Sequence, residues 1–201
     1  MRFRLASTQI ELSYTLLCLA AVSVMLGLFS GFLWCAAAII IHEGGHLLAM
    51  ISCGYFPKRI KISLFEINIS DDKRTERSVR QNFFIIFFGP FANFICFLPC
   101  FLLYLNGMNR IIPFAAANCS VGLFNMLPVM SLDGGQLAYL LLTRRFSALT
   151  AEKAVNALTF CSIFPCAAFG FWLLLRTGNV SLLFVSVYMV FSLLFKGNRY
   201  Y

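Results

Sequence analysis

Long apolar runs recur along this chain, and nothing constrains its folding more. They lie at 13–30, 31–53, 83–105, 111–132, 154–175 and 180–195, interrupted by few ionisable side chains. A helix needs roughly 20 apolar residues to cross the hydrocarbon core of a bilayer, where every backbone polar group must be satisfied within the segment. Six such runs in 201 residues leave little beyond short connections. A soluble domain is about half apolar and a quarter charged, whereas this chain is 60% hydrophobic and 12% charged. The expected fold is an all-α membrane protein of about six transmembrane helices, one polytopic domain over 1–201.

Threading the runs alternately through a bilayer places 1–12, 54–82, 133–153 and 196–201 on one face, which then carries 14 of the 16 Lys and Arg residues, leaving only Arg110 and Arg176 opposite. By the positive-inside rule both termini are cytoplasmic, in a multi-pass membrane protein. The formal net charge of +8 thus follows from topology and contact with anionic lipid, and no nucleic-acid partner is expected. The one long loop, 54–82, begins with an alternation, Ile60, Ile62, Leu64, Ile67 and Ile69, which predicts a short strand or hairpin at the membrane surface. The eight cysteines fall in or at the ends of apolar runs, lack zinc-site spacing and are read as small hydrophobes.

An ionisable group inside a span costs about 2.5–3.5 kcal/mol on insertion scales. The second run nevertheless holds three within five residues, His42-Glu43-Gly44-Gly45-His46, including the only two histidines of the chain. Helix positions four apart lie about 40° from each other, so both imidazoles project from one face and can grip one metal ion. Glu43 lies about 100° round from His42, beside such an ion and placed to take a proton from its bound water. A catalytic zinc site has three protein ligands and an open position for water. Of the remaining acids only Asp133 sits at the inner end of a span, in Asn125-Met-Leu-Pro128-Val-Met-Ser-Leu132-Asp133-Gly134-Gly135. Pro128 breaks the helical ladder there, and the two glycines permit irregular backbone, tolerated in membranes only where protein or a wet cavity surrounds it. The alternative for Asp133 is a helix-capping role in a turn. Two imidazoles and a carboxylate suit Zn2+.

The amides invite a reading of their own. Asn93 or Asn125 offers the donor and acceptor that an extended substrate segment would need. Interhelical hydrogen bonding is the competing role for each. The alternating segment could likewise add a strand to such a substrate.

His42-Glu43-Gly44-Gly45-His46, together with Asn125, Pro128 and Leu132-Asp133-Gly134, closely resembles the site-2 protease family of intramembrane zinc metalloproteases. Gly89-Pro90-Phe-Ala-Asn93 is similar to the family's Gly-x-x-x-Asn element, and Met126 stands where a proline commonly follows the asparagine. The resemblance implies a catalytic core over about 31–140, with His42, His46 and Asp133 as zinc ligands, Glu43 as general base, and Asn93 and Asn125 near the substrate. The compact layout, with no PDZ or CBS domain expected, resembles the stage IV sporulation protein FB-like branch. That likeness implies a bacterial enzyme that cuts a membrane-associated substrate near the cytoplasmic face, a precursor sigma factor during sporulation. It also implies membrane regulatory partners and a place in the mother-cell membrane around the forespore. The rival expectation is a divalent-metal transporter that uses the same His/Asp site in transit.

Overall fold

A computed structural model describes residues 2–5, 8–12, 21, 23–25, 27, 29–56, 59–62, 67–70 and 77–177. The first predicted span falls mostly, and the sixth wholly, outside the described residues. Contacts between Cα atoms divide the chain into two compact units, Met1–Leu123 and Phe124–Tyr201.

In the first unit, helix α1 (Phe29–Ser52) packs on helix α2 (Val79–Leu105). The sequence makes this close pairing possible. The buried residues of α1 include Ala38, His42, Gly45 and Ala49, at the three- and four-residue steps that share one helical face, and those of α2 include Ile85, Gly89 and Asn93. Small residues on facing stripes let two backbones approach, which is how helices pack where hydrophobic exclusion gives no drive. At Gly45 a Cβ would collide with the carbonyl of Phe88 and the side chain of Ala92. Outward positions are large and apolar instead, with Ile40 and Leu48 about two-thirds exposed, as a lipid-facing surface requires.

The start of α2 is set by a capping box. Gln81 N–H donates to Ser78 Oγ at 3.2 Å and Ser78 N–H to Gln81 Oε1 at 2.9 Å, an arrangement worth about 1 kcal/mol. The Tyr55 hydroxyl, just past α1, also donates to Gln81 Oε1, and the Arg77 guanidinium lies over the Tyr55 ring. The end of one helix is thereby tied to the beginning of the next. Helix α3 (Ile112–Asn125) buries Ala115, Asn118 and Gly122, again a stripe of small residues. Gly122 brings it against the Asn93 Cβ and the Phe94 ring of α2.

The predicted hairpin is present, as β3 (Arg59–Ile62) antiparallel to β4 (Ile67–Ser70), with Ile60 opposite Ile69 and Ile62 opposite Ile67. It belongs to a larger sheet than expected. Strands β1 (Arg2–Leu5) and β2 (Thr8–Leu12) form an antiparallel hairpin of their own, and β2 runs parallel to β3, giving the order β1-β2-β3-β4. The helical membrane class stands, with this small sheet added to it.

The second unit contains helices α4 (Asp133–Leu142) and α5 (Ala148–Thr177), which pack on each other. Among the described residues, α1, α2 and α5 are long and apolar enough to cross a membrane. The fourth predicted span does not form one helix over 111–132. Helix α3 stops at Asn125, reaching only about 21 Å at 1.5 Å per residue, because Pro128 can neither donate to the ladder nor leave the preceding residue helical. Helix α5 starts six residues before the predicted 154, since Ser147 caps it, accepting from Thr150 N–H. The seven described cysteines are free thiols.

Candidate metal centre

His42 and His46 stand one turn apart on α1, with ring planes at 89°. Each ring is held at Nδ1 by an oxygen. His42 Nδ1–H donates to Asn93 Oδ1 at 2.9 Å, and His46 Nδ1–H donates to the Ile85 carbonyl at 2.8 Å. Those acceptors assign the proton of each neutral ring to Nδ1, so each Nε2 carries a lone pair. The two Nε2 atoms face each other 3.2 Å apart. One cation placed between two such lone pairs would hold both rings. Two nitrogens bound tetrahedrally to one zinc at 2.0–2.1 Å are separated by about 3.4 Å, so the pair has the spacing that a shared ion requires.

Gly89 makes this placement possible. Any Cβ there would overlap the His46 imidazole, so the Gly-x-x-x-Asn element of α2 serves both rings, Gly89 by leaving space for one and Asn93 by bonding the other. Asn93 is fully buried, and its Nδ2 donates to the Ala38 carbonyl and to Asn118 Oδ1. Both amide hydrogens are engaged in the interhelical hydrogen bonding that is the competing role for this residue. Glu43 follows His42 on α1 and is half-buried, as is Asn125 at the last position of α3.

In the second unit, Asp133 is the first residue of α4, after an extended Leu132, and is 9% exposed. The free N–H groups and dipole of a helix N-terminus favour a negative charge at that position. The glycines that follow were expected to permit irregular backbone. They lie instead in the regular first turn of α4, and their role is to lack a side chain. A Cβ on Gly134 would strike the Met126 and Leu127 carbonyls, and one on Gly135 the Val129 carbonyl. The segment 126–132 therefore presses its main chain directly on the turn that carries Asp133. Its anchor is Thr159 of α5, fully buried, whose Oγ1 accepts from Met130 N–H at 3.0 Å and donates to the Val155 carbonyl at 2.8 Å. Val129, Leu132 and Ile163 close an apolar core around it.

In the first unit His42 and His46 offer two imidazole nitrogens to one ion, and in the second Asp133 offers a carboxylate at the start of α4. Two imidazole nitrogens and a carboxylate oxygen are the donor set of a catalytic zinc, and the facing lone pairs fit such an ion. Sequence reasoning missed Asn118 and Thr159. Asn118 belongs to a small-residue stripe that reads as helix packing, and Thr159 lies in a helix with no polar motif around it.

A membrane fold that carries a His-Glu-x-x-His helix and an Asp-Gly helix start defines a class, and comparison with known proteins agrees with it. Residues 106–169 match the model of peptidase family M50. The fold is similar to that of the site-2 protease from Methanocaldococcus jannaschii, with a TM-score of 0.70 and 20% identity over 95% of this chain and 92% of that one. Stage IV sporulation protein FB of Bacillus subtilis strain 168 is 25% identical over 153 residues, 74% of this chain. The chain spans about half the length, 53%, of that curated relative. The family model matches part of the chain, the fold is similar to that of a site-2 protease, and the long apolar helices make the chain an integral membrane protein.

Proposed function

We propose that this protein is an intramembrane zinc metalloprotease that hydrolyses a peptide bond in or near the membrane segment of a protein substrate. The observation that carries the reading is the pair of histidine Nε2 atoms turned toward each other at 3.2 Å. Glu43 follows the first of them inside a span, where an ionisable side chain is costly.

In this reading His42, His46 and Asp133 hold the ion, and zinc supplies the polarisation that makes a bound water acidic near neutral pH. The Glu43 carboxylate accepts the proton that this water loses and delivers it to the departing amine nitrogen. Asn125, half-buried where α3 gives way to non-helical chain, is the amide left to hold an extended substrate. The likeness to a sporulation protein supports a membrane-associated precursor, a sigma factor among them, as the substrate class. Basic residues collected on one face support cytoplasmic termini.

Co-expression with candidate membrane-associated precursors, comparing wild type with Glu43→Gln, tests the reading. A product band that appears with wild type and not with the variant supports it. Equal cleavage by both rejects it.

A further inference from the structure

Two histidines in one group are held in different ways. His46 leans on a backbone carbonyl, that of Ile85, which can only accept a hydrogen bond and so fixes the ring without help. His42 leans on a side-chain amide, which can donate or accept according to how it is turned. Something must decide the orientation of Asn93, and a second amide does so. Asn118 Nδ2 donates to the Phe114 carbonyl at 3.0 Å, which turns Asn118 Oδ1 outward as an acceptor. Asn93 Nδ2 donates to that oxygen at 3.0 Å and to the Ala38 carbonyl at 2.9 Å. Its Oδ1 is therefore left facing His42 Nδ1. Two carbonyls that cannot donate, Ala38 on α1 and Phe114 on α3, anchor the chain of bonds, and every amide in between has one allowed sense.

We infer that Asn93 and Asn118 are a pair of positioning residues that lock His42 in its Nδ1–H tautomer, so that Nε2 meets the metal as a ready ligand. The inference rests on the metal-centre reading for its consequence, whereas the lock itself concerns hydrogen bonds that exist without the ion. Both amides are fully buried, so water does not substitute for either partner. If Asn93 is made apolar, the His42 ring loses its acceptor, and rotation or a change of tautomer puts N–H where the lone pair should be. Partners that orient metal-bound histidines typically matter about 10- to 100-fold in metal affinity.

The chain has only two histidines, which makes the lock directly readable. Protein labelled with 15N-histidine and purified in detergent without a histidine tag gives four ring nitrogens, and long-range 1H–15N correlation at mildly alkaline pH distinguishes protonated from unprotonated ones. In the zinc-free wild type both rings are expected to carry the proton on Nδ1. In Asn93→Leu the His42 pattern should change while that of His46 stays, His46 serving as an internal check that α1 and α2 remain packed. Asn118→Ala, which removes the outer amide and leaves Asn93 in place, should give a mixed His42 pattern and covers the case in which Asn93→Leu does not fold. Zinc affinity, by competition with a chromophoric chelator, should fall about 10- to 100-fold in Asn93→Leu and less in Asn118→Ala. A His42 protonated on Nε2 in wild type, or a His42 pattern unmoved in both variants, overturns the lock and leaves the metal-centre reading standing. A wild type with the expected tautomers that binds no zinc overturns the metal-centre reading instead.

Discussion

The imidazole of His46 lies against the bare Cα of Gly89, in space that any side chain at position 89 would fill. The smallest substitution there is thus a probe of the metal centre and not merely of helix packing. Gly89→Ala should displace the ring and lower zinc affinity by at least about tenfold, with a stability loss of about 1–3 kcal/mol from overpacking. Chelator competition and a thermal melt in detergent read the two effects separately.

Adjacent glycines of the motif should behave differently. Gly45→Ala forces a methyl into the Phe88 carbonyl and should cost about 1–3 kcal/mol, seen as a lower melting temperature. Gly44→Ala meets nothing within 4 Å and, as alanine in a helix, should be neutral or stabilising by up to about 1 kcal/mol. Equal melting temperatures for the two variants would contradict the close approach of α1 and α2.

Loss of the proposed base and loss of a proposed ligand should part company. Glu43→Gln is expected to reduce cleavage by about 100- to 10,000-fold with zinc content unchanged. Asp133→Asn should lower the zinc bound per chain as well as cleavage. Elemental analysis of purified protein beside a cleavage assay decides both, and full zinc occupancy in Asp133→Asn removes that residue from the ligand set.

Far along the sequence, Thr159 holds the segment ahead of Asp133. Thr159→Val keeps the shape but removes the hydroxyl that accepts from the Met130 N–H, a loss of about 1–3 kcal/mol, whereas Thr159→Ser should retain most of the wild-type stability. Chemical denaturation in mixed micelles measures the difference.

Much of the site was legible because membranes make polar residues conspicuous. His42, Glu43 and His46 stand out in an apolar run, and Asp133 stands out at the edge of another. What stayed hidden is what only packing creates. The sequence gives Asn93 a polar handle but not the partners that occupy both its amide hydrogens, and Asn118 becomes informative only when Gly122 brings α3 against α2. The strands at Arg2–Leu5 and Thr8–Leu12 are hard to see in the sequence, since four- and five-residue alternations carry little signal without the β3 strand they join. The break of the fourth span was announced by Pro128. Its exact limits depended on where main-chain carbonyls came to rest.

Those carbonyls bear on which positions can vary. At position 126 stands a methionine whose side chain is more than a third exposed, and it is the residue's carbonyl that abuts Gly134. A contact made by main chain is indifferent to the side chain that accompanies it, so residue 126 is free to drift. The opposite partner has no such latitude, since even one added methyl at 134 or 135 would push that backbone away. Substitution libraries should therefore recover wide variety at 126 and almost none at the two glycines, an asymmetry written by the backbone alone.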